Sequence, residues 1–206
     1  MNSIATLSAT TLALRHELMA AGERFYRNGW LFGTSGNLSG RCGNTLVISA
    51  SGCDKGALSE IDFVELNSDG ALLRAVDGRR PSAETSIHLA LYACLPSVNA
   101  ILHVHTPAST KLKTNTTYPS EIVLKDLEML KGWGLWEEGA EARLPIFENH
   151  ADVPRIADDT RTFYTSERDV PAFIIEGHGI TAWGATVADA RRHVEVTEFF
   201  CQLQGS

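Results

Sequence analysis

Ile101-Leu102-His103-Val104-His105 is the stretch on which the reading of this 206-residue chain turns. It closes an apolar run that begins at Val98 and contains β-branched residues, the pattern of a buried strand. Successive side chains of a strand point to opposite faces, so His103 and His105 share one face while Leu102 and Val104 share the other. Two neutral imidazoles projecting together from a rigid element make half of a first-row metal site. A third candidate stands far downstream in Phe173-Ile174-Ile175-Glu176-Gly177-His178-Gly179, where a strand runs into a glycine-flanked turn that holds His178 at its end. Three histidines leave a position for water or substrate, as catalytic rather than structural sites do. His-x-His pairs also occur as hydrogen-bonded core residues, so the pair alone leaves both readings open. His178 moves the balance toward metal-assisted chemistry.

Outward from that strand, Leu7, Leu14, Leu18 and Phe25 recur at helical spacing and predict an amphipathic helix from about Ser8 to Arg27, stopped by Asn28-Gly29. A loop of small residues, Gly33 to Ser39, leads to a strand at Thr45–Ser49, and a second such loop runs from Ser51 to Gly56. Phe63–Leu66 and Ala71–Val76 form a hairpin whose turn contains Asp69-Gly70. Pro81-Ser82 opens a helix through about Leu95 with Ser82 as its N-cap. Residues 121–139 carry no clear period. Thr186-Val187-Ala188-Asp189 resembles a capping box and begins a final helix to about Gln202. Hairpins mixed with covering helices indicate an α/β or α+β sheet that is not purely parallel.

The length suits one domain over residues 1–206, and no linker suggests a second. A formal net charge of −7 argues against nucleic acid or an anionic membrane as main partner, while leaving a phosphorylated small molecule open. The start, Met1 to Thr11, lacks the basic and apolar regions of a signal peptide, and no segment has the apolar length of a membrane helix. Cys42, Cys53, Cys94 and Cys201 are scattered without CxxC spacing, which fits reduced thiols and a cytoplasmic setting.

Phosphate binding needs converging backbone N–H groups, and glycine permits the approach. Gly36-Asn37-Leu38-Ser39 and Ser51-Gly52-x-x-Lys55 have that composition, and Ser82 near a helix start adds a hydroxyl beside the positive end of the helix dipole. Each of these loops reads equally as an ordinary turn. Glu84 is placed to favour the helix dipole, to act as general base, or to serve as a fourth metal ligand that yields to substrate. Glu128 has nothing in its local chemistry that distinguishes it from a solvated helix residue. His16, His88, His150 and His193 read as spectators. Phe32, Met129, Trp133 and Trp136 are candidates for an apolar subsite as much as for the core.

Taken in order along nearly the whole chain, Gly36-Asn37-Leu38-Ser39, Ser51-Gly52-x-x-Lys55, Pro81-Ser82-Ala83-Glu84, His103-x-His105 and Gly177-His178-Gly179 resemble the class II aldolase/adducin family. Ser82-Ala83-Glu84-Thr85, Leu127-Glu128-Met129-Leu130-Lys131-Gly132, and Gly177-His178-Gly179-Ile180-x-x-Trp183-Gly184 followed by Ala190-Arg191-Arg192-His193 are most like its dehydratase branch. The resemblance implies a three-layer α/β/α fold around a largely antiparallel sheet, and a cytoplasmic homotetramer with sites near subunit interfaces. It implies zinc held by His103, His105 and His178, with Glu128 as principal acid/base and Glu84 assisting or tuning the metal. The implied phosphate contacts are Asn37, Ser51, Gly52 and Ser82. The implied reaction is dehydration of 5-methylthioribulose 1-phosphate to a 2,3-diketone in methionine salvage. Other activities on this scaffold are a sugar-phosphate aldolase or epimerase and a metal-free interaction domain of the adducin type. Some family members carry cysteine at the position of Glu84 and the sugar-phosphate aldolases carry glutamate, so position 84 does not separate the activities.

Overall fold

The computed structural model describes residues 8–76, 78–114, 118–165 and 170–204. Leu7, one member of the N-terminal periodicity, and most of the polar start lie outside that range. Helix α1 (Ala9–Arg27) begins at Ser8, whose hydroxyl accepts the Thr11 N–H at 3.1 Å and so satisfies one orphan donor of the first turn. Strands β1 (Asn37–Cys42), β2 (Thr45–Ser49), β3 (Phe63–Leu66) and β4 (Leu72–Arg74) follow as a meander. Next come α2 (Thr85–Cys94), β5 (Ala100–Val104) and α3 (Pro107–Lys111). The last part of the chain holds β6 (Ser120–Lys125), a 3-10 turn (Glu128–Trp133), β7 (Glu141–Phe147), α4 (Val153–Phe163), β8 (Ala172–Ile175), β9 (Gly179–Gly184) and α5 (Val187–Gln204).

Among the described residues nine strands form one sheet in the order β4-β3-β2-β1-β5-β9-β8-β7-β6. Every ladder is antiparallel except β7–β8, which is parallel because α4 crosses between them. The alternation anticipated for β5 is present. Ala100, Leu102 and Val104 join a core with α1, α5, Leu130 and Trp133 on one face, whereas Ile101 joins α2 and α4 on the other. His103 and His105 therefore project on the α2/α4 side of a central strand. This is the expected three-layer arrangement, with helices on both faces of a mixed, largely antiparallel sheet.

Two local expectations need correction. Helix α2 starts at Thr85 with Glu84 in the N-cap position, so Ser82 is not its cap. Residues 81–84 instead turn, and the Ser82 carbonyl accepts the Thr85 hydroxyl at 2.7 Å. The stretch without a clear period, 121–139, contains most of β6 and the 3-10 turn. Trp133 is core, stacked edge-on against Phe200, and so is no subsite candidate; Phe32 and Trp136 are exposed. Half of the Thr186 box is present: the Thr186 hydroxyl accepts the Asp189 N–H at 3.1 Å and donates to the Asp189 carboxylate at 2.7 Å.

Candidate metal centre

The site is built where β5 is clamped between its two neighbours. Asn37 of β1 and Thr181 of β9 are the register partners of His103. Both flanks approach so closely that they require glycine. A Cβ on Gly36, whose φ is +70°, would lie 2.6 Å from the His103 carbonyl oxygen, and one on Gly179 would lie 2.1 Å from that of Val104. The His105 N–H donates to Trp30 O at 2.9 Å, which fixes the strand's end. His178 enters from the β8–β9 turn, where its N–H reaches Ile175 O.

These ladders bring three imidazoles and one carboxylate to a point. His103 Nε2 lies 2.9 Å from His105 Nε2 and 3.4 Å from Glu84 Oε1, and His178 Nε2 lies 2.8 Å from the same oxygen. Glu84, His103, His105 and His178 are the one such cluster among the described residues, with all four donor atoms within 4.8 Å of one another. A tetrahedral ion with bonds near 2.0–2.1 Å sets its donors roughly 3.3 Å apart, so the spacing matches a cation-sized centre. Burial holds the His103 and His105 imidazoles down, to about 4 and about 3, and leaves them neutral and able to ligate near pH 7. Burial works against the Glu84 carboxylate, but His103, then His178 and His105, outweigh it and keep the group well below the usual carboxylate range.

Two further contacts orient these groups. His103 Nδ1 pairs with Thr181 Oγ1 at 2.9 Å, which turns Nε2 inward. Asn37 Nδ2 donates to Glu84 Oε2 at 2.5 Å, so Oε1 is the oxygen left facing the histidines. Sequence reasoning missed Thr181, although its pairing with His103 follows once β5 and β9 are known to be neighbours. His88 was read as a spectator. His88 stands one turn after Glu84 on the same face of α2, fully buried, with Nδ1 2.7 Å from Ser39 Oγ, which also contacts Tyr92 OH at 2.8 Å. His16, His150 and His193 lie elsewhere, on Glu60, Asp159 and the Trp183 carbonyl.

Of the phosphate candidates, Ser82 joins the same neighbourhood, 3.3 Å from Asn37 Nδ2. Ser51 and Gly52 are exposed on the adjoining loop. The Ser51 N–H is taken up by Arg80 O, which leaves its hydroxyl and the Gly52 backbone for a ligand. Glu128 is not brought in. It sits at the start of the 3-10 turn, 81 % exposed and paired with Lys131 at 2.8 Å. Leu130 and Trp133 of that turn pack into the α1/α5 core, the face of the sheet opposite His103 and His105.

The profile of the Class II Aldolase and Adducin N-terminal domain matches residues 16–205. The chain is 40 % identical over 196 residues to the methylthioribulose-1-phosphate dehydratase of Leptospira biflexa, covering 91 % of this chain and 94 % of that protein. It is 39 % identical over 188 residues to the enzyme of the same name from Microcystis aeruginosa, covering 90 % and 91 %. Among solved structures, YgbL of Escherichia coli superposes with a TM-score of 0.79 at 25 % identity, covering 94 % of this chain and 89 % of that one. L-fuculose-1-phosphate aldolase of Thermus thermophilus superposes at 0.73 and 20 % identity, covering 94 % and 93 %, a likeness of fold. With the fold, the donor cluster and a match over nearly its full length in agreement, this chain belongs to the class II aldolase and adducin family.

Proposed function

We propose that the protein is a zinc-dependent lyase that dehydrates 5-methylthioribulose 1-phosphate to 2,3-diketo-5-methylthiopentyl 1-phosphate, a step of methionine salvage in the cytoplasm. The observation that carries the reading is 40 % identity, over nine-tenths of the chain, to a relative that bears the name of that activity. The reaction removes the C3 proton and the C4 hydroxyl as water, and the resulting enol becomes the diketone. His103, His105 and His178, with Glu84 as a displaceable fourth donor, are the groups that would hold the ion. A divalent cation bound there supplies Lewis acidity at the C2 carbonyl, which is what makes the C3–H acidic enough to remove.

The chain's own residues divide the remaining work. Asn37 holds Glu84 so that one oxygen faces the histidines and the other does not rotate in. Ser51, Gly52, Ser82 and Asn37 form the anchor for the phosphate, remote from the reacting carbons, so that binding there orients the C3–C4 bond. Glu128 is the acid/base: its carboxylate takes the C3 proton and returns it to the departing C4 hydroxyl. Its own chain places it across the sheet, so this role is filled by Glu128 of a second copy in a homotetramer, whose exposed 3-10 turn meets the cleft of its neighbour.

Anaerobic incubation of the zinc-loaded protein with methylthioribulose 1-phosphate, followed by mass spectrometry, tests the reading. A product lighter by one water, lost on chelation and restored by zinc, is expected. Release of a triose phosphate would make the protein an aldolase instead. Mixing Glu128→Gln with His103→Ala subunits tests the second point: each variant alone should be nearly inactive, and reassembled mixtures should recover part of the activity. No recovery in mixtures proven to contain both subunits would return Glu128 to its own chain or remove it from the mechanism.

A further inference from the structure

Lys55 is 1 % exposed, and its ammonium has no carboxylate partner within ion-pair distance among the described residues. Nζ donates to Thr34 O at 3.1 Å and to Cys53 O at 2.9 Å, which account for two of its three protons. Asp54, Asp62 and Glu84 act on it only through space, and each is committed elsewhere. Asp54 accepts the Gly56 N–H, Asp62 pairs with Arg79, and Glu84 is held by Asn37 and His178. Burial pushes the ammonium down from its ordinary value, as expected for a charge lacking a counterion. A buried cation whose partners are neutral carbonyls is costly, and a chain has little reason to keep one without an anion to meet it.

The position of the charge indicates what that anion is. Thr34 belongs to the loop that enters Asn37, and Cys53 belongs to the Ser51–Gly56 loop, so the ammonium lies between two of the segments that form the phosphate anchor. Gly52 of the same loop, at φ +75°, has open space where a Cβ would stand. We propose that Lys55 is the fixed countercharge of the ligand's phosphate group, and that it selects phosphorylated over unphosphorylated sugars. The proposal rests on the phosphate reading of these loops given above.

The experiment is a calorimetric titration of the full-length, metal-loaded protein with inorganic phosphate, against chloride at equal ionic strength. The variants are Lys55→Gln, which keeps amide protons for the two carbonyls but drops the charge, and Lys55→Arg. Wild type and Lys55→Arg should bind phosphate, and Lys55→Gln should bind at least about tenfold more weakly. Metal content and affinity for unphosphorylated methylthioribulose should not change in Lys55→Gln. Phosphate affinity within twofold of wild type in Lys55→Gln overturns the proposal. So does an equal loss for both ligands, which would mark Lys55 as only a loop tie. If Lys55→Gln does not fold, loss of phosphate binding in folded Lys55→Arg is the overturning result. Absence of phosphate binding by wild type would remove the phosphate anchor itself. An active wild-type dehydratase whose KM is unmoved by Lys55→Gln would remove Lys55 alone.

Discussion

His103 Nδ1 stands 2.9 Å from the hydroxyl of Thr181, its partner directly across the β5–β9 ladder. The bond is a property of the sheet register, so the ring is oriented before any ion arrives. Thr181→Val keeps the shape and removes the acceptor. It should weaken metal binding by about 10- to 100-fold, and Thr181→Ser should restore most of it. Competition with a chromogenic chelator reads both, and an unchanged dissociation constant in Thr181→Val would strip Thr181 of this role.

Metal binding should also register as stability, because the converged donors exist in the folded chain and are dispersed in the unfolded one. At free zinc near 1,000 times its dissociation constant the gain is about 4 kcal/mol. Calorimetric melting should show a rise of several degrees on loading, reversal by chelator, and loss of the response in His178→Ala. A His178→Ala protein that responds as wild type does would place the ion elsewhere.

Acid should destabilise the metal-stripped protein over a defined window. Burial holds the fully enclosed His88 imidazole down to about 4 from an ordinary 6.5, and His103 and His105 move in the same direction. Between those values the unfolded chain binds more protons than the native one. The contribution is therefore fully present above about pH 6.5 and is lost as the pH falls toward 4. Urea midpoints measured across that range should decline, less steeply in His88→Gln. Equal slopes would show that His88 is not among the titrating groups.

Gly179→Ala would drive a methyl carbon to within 2.1 Å of the Val104 carbonyl oxygen, between the strand that bears His103 and the turn that bears His178. We expect a loss of at least about 2 kcal/mol in urea unfolding, together with weakened metal binding. The same substitution at Gly134, whose added carbon meets nothing within 4 Å, incurs only the backbone cost of a positive φ and serves as the control.

What could be read from residues alone follows from how local its cause is. The period-two pattern of β5 is a property of five consecutive residues and placed His103 and His105 on one face. The Ser8 and Thr186 caps are settled within three residues of themselves. Thr181 and Asn37 were invisible as residues orienting the clustered groups because that relation exists only once β1, β5 and β9 are neighbours; Asn37 was singled out solely as a phosphate contact. The stretch 121–139 resisted reading for a different reason. A strand, a 3-10 turn and a left-handed Gly134 follow one another too closely for any period to repeat. Glu128 was singled out by resemblance alone, and the position of its turn across the sheet could not have been anticipated from its neighbours in sequence.

The separation of Glu128 from the histidines has a consequence for the life of a newly made chain. On the proposal that Glu128 is the acid/base, a freshly synthesised monomer would hold its ion and yet be chemically silent, because the turn that bears Glu128 packs on the opposite face of its own sheet. Activity would then switch on with abundance rather than with folding, rising more steeply than the first power of concentration as copies meet. The fold would in this way keep a reactive centre idle until there is a companion to complete it.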